Sequence, residues 1–203
     1  MMRIIFATGN EGKLREIREI MGDLGLEIVS MKQAGIKADI VEDGKSFKEN
    51  ALIKATTISK LAVGELVMAD DSGLVIDALG GEPGIYSARY MGEDTSYDIK
   101  NKAILERMNG VEGAKRSARF VCAVAAAVTD VSGNTKEYTT EGTFEGLISE
   151  RIAGENGFGY DPIFYVPEAG KTSAEITPEE KNSMSHRGKA LRAMKDVLVK
   201  EVI

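Results

Sequence analysis

Cysteine, histidine and tryptophan are scarce in this chain of 203 residues, which has one cysteine, one histidine and no tryptophan. A single cysteine excludes an intrachain disulfide, and Cys122 lies in the apolar stretch RFVCAVAAAV, which is typical of a small buried residue. No apolar stretch approaches membrane-spanning length, and the N-terminal run MMRIIFATGN is broken by Gly9 and Asn10 before it reaches the length of a signal-peptide core. We therefore expect a cytoplasmic protein with no membrane partner.

Positive charge is outweighed by negative charge, because 26 lysines and arginines face 32 aspartates and glutamates, for a formal net charge of -6. Nonspecific nucleic-acid binding depends on clustered lysine and arginine, so the balance argues against a nucleic-acid partner. A hydrophobic share of 43% is enough to build one substantial core. No repeat, low-complexity tract or linker marks a boundary, and we predict a single domain over residues 1–203.

The spacing of apolar residues predicts alternating strands and helices, the pattern of an α/β fold. Strands are predicted at 3–8, at 26–30, in the run that ends at Asp70, and on both sides of the turn VSGN. Helices are predicted over 11–24, from the capping-box pattern of Ser46 and Glu49, from Thr95 to Met108, and from Thr177 onward.

The stretch TGNEGK, residues 8–13, connects the first predicted strand to the first predicted helix. Free backbone N–H groups and the helix dipole favour an anion at such a position, and Lys13 adds a positive charge. The stretch is not a Walker A loop, because Leu14 follows the lysine where that motif needs serine or threonine. An ordinary turn capped by Asn10 is the alternative interpretation.

Two adjacent carboxylates, Asp70 and Asp71, follow the buried run LVMA. Like charges side by side repel one another unless a positive group lies close, and the apolar residues on both sides indicate burial. Mg²⁺ is usually held by one or two carboxylates and the phosphates of a substrate, so Glu42 and one of the two aspartates are sufficient ligands. Successive residues of a strand point to opposite sides, so only one aspartate is expected to face the ion. The alternatives are a strand-end cap for the aspartates and a solvated acidic turn for Glu42.

Two further stretches carry residues suited to a flat, anionic ligand. In GFGYDP, residues 157–162, glycines allow close backbone approach while Phe158 and Tyr160 offer ring faces to a heterocycle. In KNSMSHRGKA, Lys181, His186 and Arg187 gather at a helix start, where cations oppose the dipole and an external acceptor helps to explain them. An aromatic turn that closes the core, and a histidine without a role, are the competing interpretations.

Taken together and in order, five stretches resemble the inosine/xanthosine triphosphate pyrophosphatase family: FATGNEGKLREI, SFKENALIKA, ADDSGLVIDALGGEPGIYSARY, GFGYDPIFY and SHRGKAL. The resemblance spans nearly the whole chain. It implies an α/β fold with an elongated mixed β-sheet flanked by helices, and two lobes with an active-site cleft between them. It also implies a homodimer that uses Mg²⁺ to hydrolyse ITP, dITP or XTP to the nucleoside monophosphate and pyrophosphate.

The resemblance assigns roles residue by residue. The triphosphate would be held by Thr8, Gly9, Asn10, Glu11, Gly12 and Lys13. Glu42 and Asp71 would be metal ligands, with Asp71 also the catalytic proton acceptor and Ser72 a substrate contact. The nucleoside would be surrounded by Phe158, Gly159, Tyr160, Asp161, Lys181, His186 and Arg187.

The hypothesis for the reaction is attack of water on the α-phosphorus, with pyrophosphate as the leaving group. Glu49 is a rival to Asp71 as the base, because a carboxylate that ligates a metal is a poor base while coordinated. Arg187 is the candidate donor to O6 of the purine, and nothing in the sequence identifies the group that excludes GTP. A pyrophosphatase of other base preference, or a nucleotide sensor without turnover, stays open as an alternative.

Overall fold

Strands and helices alternate over the first half of the chain, as the apolar spacing predicts, and the computed structural model describes residues 3–203. The strands are β1 (Arg3–Phe6), β2 (Glu27–Ser30), β3 (Leu66–Ile76), β4 (Ser117–Thr129), β5 (Thr135–Ile148), β6 (Phe164–Val166) and β7 (Lys171–Thr172). The α-helices are α1 (Glu11–Met21), α2 (Phe47–Leu61), α3 (Tyr97–Arg107), α4 (Pro178–Met184) and α5 (His186–Glu201).

The seven strands form one mixed sheet in the order β2-β1-β3-β4-β5-β6-β7. Strand β1 is parallel to both β2 and β3, so that Ile5 lies beside Val29 on one side and Val67 on the other. At the far end of this order, β6 pairs antiparallel with β5 and with β7. The predicted α/β class with a mixed sheet is confirmed, whereas the two-lobed cleft stays a prediction. Within residues 3–203, no helix is both long enough and apolar enough to cross a membrane.

The chain divides into two compact units. The first unit contains the described residues up to Asp71 with Cys122–Gly142 and Arg187–Ile203, and the second contains Ser72–Val121 and Thr143–His186. The long strand β3 is divided between Asp71 and Ser72. The single domain over residues 1–203 stays a prediction.

Alternate residues of β1 enter two different cores of the first unit. Ile4 and Phe6 lie in one core with apolar side chains of α1 and α5, namely Leu14, Ile17, Met21, Ala190, Leu191, Met194 and Leu198. Ile5 lies in the other core with Ala51, Ala55 and Ile58 of α2. Burial on both faces of the sheet explains why the sequence of β1 contains a continuous apolar run.

The second unit has its own core around three phenylalanines. Phe120 of β4 lies 4.5 Å from Phe164 of β6, and Phe144 of β5 lies 5.3 Å from Phe164, measured between ring centroids. Ile104 of α3 packs in the same core and is fully buried. This core supports the loop that contains the motif GFGYDP.

Three local predictions need correction. The strand expected to end at Asp70 continues through both aspartates to Ile76, so a strand-end cap is not their role. Helix α3 begins after Ser96, whose side chain accepts the N–H of Ile99, whereas the hydroxyl of Thr95 donates to the carbonyl of Met91. Ser46 caps α2 as predicted, but the Glu49 carboxylate accepts the N–H of Lys45, so the capping box is only half formed.

Candidate active site

The loop at residues 8–13 ends in a capped helix start. The Asn10 side chain accepts the N–H of Lys13 at 3.1 Å, and the Thr8 hydroxyl accepts the N–H of Asn10 at 3.1 Å. The N–H groups of Glu11 and Gly12, in the first turn of α1, have no acceptor within the helix itself. The capped turn predicted as the alternative is therefore present, and its geometry is also that of an anion site.

Gly9 in this loop is not required by the packing of the protein. A Cβ atom at position 9 would meet nothing within 4 Å in the described part of the chain, and the backbone there is outside the left-handed region. The glycine therefore leaves open space over the helix start, which is what close approach of a ligand to the backbone needs.

Asp70 is buried at 2% exposure and shares one oxygen with two cations. Its Oδ2 atom lies 3.0 Å from Nζ of Lys13 and 3.3 Å from Nε of Arg187, and the Arg187 guanidinium also donates to Glu16 of α1. Burial alone would raise the pKa of Asp70, but the charges of Lys13, Arg187 and Lys54 hold that pKa below its usual range. The positive partners that Asp70 needs are therefore side chains of this chain.

Asp71 has different direct partners, as the alternation of a strand predicts. Its Oδ2 atom accepts a hydrogen bond from Nδ2 of Asn50 at 3.0 Å, and its Oδ1 atom lies 3.7 Å from Nζ of Lys54. The same ammonium donates to Oε2 of Glu42 at 2.7 Å. Burial is the main cause of a raised pKa at Asp71, and the nearby charge of Glu42 adds to it, while Lys54 and Asn50 act in the opposite direction.

Glu42 and Asp71 fit the requirements of a magnesium site. Both carboxylates approach one buried ammonium, that of Lys54, so the two negative charges converge within reach of a single cation. Among residues 3–203 no group of three or more histidine, cysteine or acidic side chains is placed to hold a metal. Two carboxylates completed by water and substrate phosphates are the set that Mg²⁺ commonly uses.

Asp161 organises the motif GFGYDP in the second unit. Its carboxylate accepts the N–H of Phe158 at 2.8 Å, the hydroxyl of Ser173 at 2.9 Å and the ammonium of Lys181 at 2.7 Å. The ammonium of Lys181 also lies 5.0 Å from the centroid of the Phe158 ring. Because Phe158 is 36% exposed, this arrangement presents an aromatic face beside a buried positive charge.

Tyr160 and His186 are buried in the same unit. The Tyr160 hydroxyl donates to the carbonyl of Ser87 at 2.7 Å, and its ring meets Tyr97 edge to face. The His186 ring stacks on Phe120 with centroids 4.9 Å apart. Of the two predicted stacking rings, Phe158 is therefore the accessible one, and Tyr160 belongs to the core.

Comparison with known proteins places the chain in a family. The model of the Ham1 family matches residues 4–197. The chain belongs to the Ham1 family. A relative from Clostridium perfringens, named dITP/XTP pyrophosphatase, is 49% identical over 98% of both chains. A relative of the same name from Thermus thermophilus is 50% identical over 95% of this chain and 90% of its own.

Solved structures of Ham1 proteins have the same fold. A HAM1 protein from Coxiella burnetii superposes with a TM-score of 0.86 at 38% identity, over 98% of this chain and 100% of that one. The Ham1 protein of Staphylococcus aureus gives a TM-score of 0.83 at 38% identity, over 98% and 99% of the two chains. The resemblance stated from the motifs is therefore confirmed at the level of family and fold.

The predicted site residues of this Ham1 chain fall into two groups. The first unit brings together Lys13, Glu42, Asp71 and Arg187, while the second brings together Phe158, Gly159, Asp161 and Lys181. Ser72 directly follows Asp71 on β3 and is half-buried. Arg187, predicted to face the purine, contacts Asp70 and Glu16, and its role as a base contact stays a prediction.

Sequence reasoning did not single out several residues that shape these groups. Glu16 pairs with Arg187, Asn101 of α3 donates to the carbonyl of Gly159 at 3.1 Å, and Ser173 donates to Asp161. The sequence offered one signal for Glu16: it is a charged residue between Leu14 and Ile17, which belong to the apolar pattern of the helix. Polarity alone does not identify a partner distant in sequence.

Proposed function

We propose that this chain hydrolyses non-standard purine nucleoside triphosphates, namely ITP, dITP and XTP, to the monophosphate and pyrophosphate. The relatives named dITP/XTP pyrophosphatase support the substrate class, since they align over almost the full length. The observation that carries the chemistry is the pair of carboxylates, Glu42 and Asp71, held at the buried ammonium of Lys54. Removal of such nucleotides from the cellular pool would be the consequence.

The triphosphate would be bound by the loop at residues 8–13. The N–H groups of the first turn of α1 and the ammonium of Lys13 provide donors and positive charge for phosphate oxygens. Glu42 and Asp71 would hold Mg²⁺, which when bound supplies further positive charge against the phosphates. Ser72, which follows Asp71 on β3, would also contact the substrate.

Asp71 would accept the proton of the attacking water. The water oxygen forms a bond to the α-phosphorus, the bond from that phosphorus to the bridging oxygen breaks, and pyrophosphate leaves with the electron pair. Asn50 holds one carboxylate oxygen of Asp71, which fixes the orientation of the base. Glu49, the rival base, accepts the N–H of Lys45 at 2.6 Å, so its carboxylate is engaged in the helix start.

The base would be held beside the motif GFGYDP. Phe158 offers an exposed ring, and Asp161 fixes the backbone of Phe158 by accepting its N–H. Lys181, His186 and Arg187 remain the proposed polar contacts of the nucleoside, with Gly159 and Tyr160 shaping the loop.

We also propose a cytoplasmic homodimer that does not bind nucleic acid. The net charge of -6 supports the last point, and the family resemblance supports the assembly. Light scattering during size-exclusion chromatography should give twice the mass of one chain, and a mass of one chain would contradict the dimer.

A substrate panel tests the proposal. Pyrophosphate release should be fast with ITP, dITP and XTP, slow with ATP, abolished by EDTA and restored by Mg²⁺. In ¹⁸O-water the label should enter the monophosphate. Asp71→Asn should abolish turnover, whereas the exposed Asp196→Asn should not. Binding without pyrophosphate release would instead identify a nucleotide sensor, and label in pyrophosphate would place the attack at the β-phosphorus.

A further inference from the structure

We call Asp71 and Glu42 the acidic pair; in the first unit, the side chain of Asn50 contacts Asp71 directly and the loop that carries Glu42 at the backbone of Gly44. We infer that Asn50, acting with Gly44, is a positioning residue that sets the placement of Asp71 and Glu42 relative to one another. The inference rests on the proposed function for its catalytic consequence, but its geometric basis is independent of the substrate.

The amide of Asn50 is fully buried in the first turn of α2 and uses both of its ends. Its Nδ2 atom donates to Oδ2 of Asp71 at 3.0 Å, and its Oδ1 atom accepts the N–H of Gly44 at 2.9 Å. The opposite orientation would set an oxygen against a carboxylate and an NH₂ group against an N–H, so only this orientation satisfies both partners. The amide therefore connects the β3 carboxylate with the loop that carries Glu42.

Gly44 allows this loop to lie directly on the start of α2. A Cβ atom at position 44 would lie 2.6 Å from Oδ1 of Asn50, 2.8 Å from Cβ of Glu49 and 2.9 Å from the backbone nitrogen of Asn50. These distances are shorter than real Cβ contacts, and two of the three neighbours are not flexible side-chain ends. A side chain at position 44 would therefore displace the loop and break its hydrogen bond to Asn50.

Helix α2 reaches the acidic pair through a second residue on the same face. Lys54 follows Asn50 by four positions, which places the two side chains one turn apart. Lys54 contacts Glu42 and Asp71 directly, while Asn50 contacts Asp71 directly and Glu42 through the backbone at Gly44. Groups that orient metal-binding or catalytic carboxylates in this way commonly affect affinity or activity by about 10- to 100-fold.

Two substitutions separate the two ends of the amide. Asn50→Asp keeps an oxygen for the Gly44 N–H but sets a carboxylate oxygen against Asp71, so kcat should fall by about 10- to 100-fold with little change in KM. Gly44→Ala keeps the donor to Asp71 but displaces the loop, so binding of Mn²⁺, used as a spectroscopic probe in place of Mg²⁺, should weaken by about 10- to 100-fold.

Two matched controls repeat the same changes elsewhere in the first unit. Asn134 also donates to an aspartate, Asp130, at 3.2 Å, but both residues are exposed, so Asn134→Asp makes the same chemical change away from the acidic pair. Gly22 has a helical backbone, and a Cβ atom there would meet nothing within 4 Å among residues 3–203, so Gly22→Ala is the control for Gly44→Ala. Neither control should alter kcat or Mn²⁺ binding.

The experiment measures kcat and KM with dITP, Mn²⁺ binding to the full chain by electron paramagnetic resonance, and the melting temperature of each variant. Loss of kcat in Asn50→Asp and weaker Mn²⁺ binding in Gly44→Ala, both beyond their controls, would support the inference. Folded variants that match their controls would overturn it, as would a wild-type chain that binds no Mn²⁺. If Asn50→Asp does not fold, the Mn²⁺ affinity of Gly44→Ala, compared with that of Gly22→Ala, decides whether the inference holds. If wild type turns over no nucleotide, the proposed function fails, while the Mn²⁺ comparison still decides the inference.

Discussion

Arg187 offers the sharpest test of how the first unit is held together. Its guanidinium is 2% exposed and contacts two carboxylates, Asp70 at 3.3 Å and Glu16. Arg187→Ala would leave Asp70, itself 2% exposed, with Lys13 as its remaining direct cation among residues 3–203. Removal of one partner from a buried ion pair costs about 3–5 kcal/mol of the free energy of unfolding. For a chain of this length that cost corresponds to a fall in melting temperature of roughly 6–20 °C.

Arg119 is a matched control, because it also pairs with two carboxylates but at a more exposed position. Its guanidinium lies 2.8 Å from Asp77 and 3.4 Å from Glu145, and its side chain is 33% exposed. Exposed ion pairs contribute about 0–1 kcal/mol, so Arg119→Ala should lower the melting temperature by at most about 4 °C. Calorimetry and urea unfolding of both variants measure the difference. Equal shifts would refute the reasoning that Arg187 is a buried counter-ion.

The same variant separates two roles for Arg187 in catalysis. If Arg187 acts only by holding Asp70, which in turn holds Lys13, Arg187→Ala should reduce kcat/KM for ITP and ATP by similar factors. The sequence-based hypothesis, in which Arg187 donates to O6 of the purine, requires a much larger loss for ITP. Measurement of both substrates with one protein preparation decides between them.

Four further predictions use other residues. The pKa of Asp70 is held low despite its burial, so its stabilising effect is complete above the unfolded-state pKa of about 3.9 and is lost as the pH falls further. Asp70→Asn should therefore flatten urea-unfolding stability against pH below about pH 4. Gly9→Ala should leave the melting temperature unchanged or slightly higher but raise KM in steady-state assays. Burial raises the pKa of Cys122 to about 12, so intact mass should show no alkylation by iodoacetamide until the chain is unfolded. Phe158→Ala should raise KM for dITP, whereas Tyr160→Phe should mainly lower the melting temperature.

Local signals in the sequence were sufficient for most helix starts. Ser46 and Thr177 cap α2 and α4 as predicted, because an N-cap depends on residues within one turn. The same logic did not distinguish Thr95 from Ser96, since both side chains suit an N-cap, and in the structure the Thr95 hydroxyl instead donates to the carbonyl of Met91, four positions earlier. Glu49 likewise had two N–H groups within reach, and the fold of the preceding loop selects that of Lys45.

The partners of the buried charges lay outside the reach of sequence reasoning. Asp70 and Arg187 are 117 positions apart, and no local pattern shows which arginine neutralises which aspartate. The expectation that β3 ends at Asp70 failed for the same reason, because cations from α1 and α5 make a charged position tolerable inside the strand. The motif GFGYDP was identified as an aromatic site. The alternation of glycine and aromatic residues in the motif did not show that Tyr160 is buried and Phe158 exposed.

The charge balance of the acidic cluster is unfavourable for binding a triphosphate without a metal ion. We define the acidic cluster as Asp70, Arg187 and Lys54 with their ion-pair partners Lys13, Glu16, Glu42 and Asp71. Its three cations are outnumbered by its four carboxylates, so it is already slightly negative before any phosphate arrives. A nucleoside triphosphate adds several more negative charges, and repulsion in a partly desolvated site is strong. A divalent cation between Glu42, Asp71 and the phosphates would reverse that balance, which is the physical reason to expect binding of dITP to the metal-free chain to be weak and to tighten when Mg²⁺ is added.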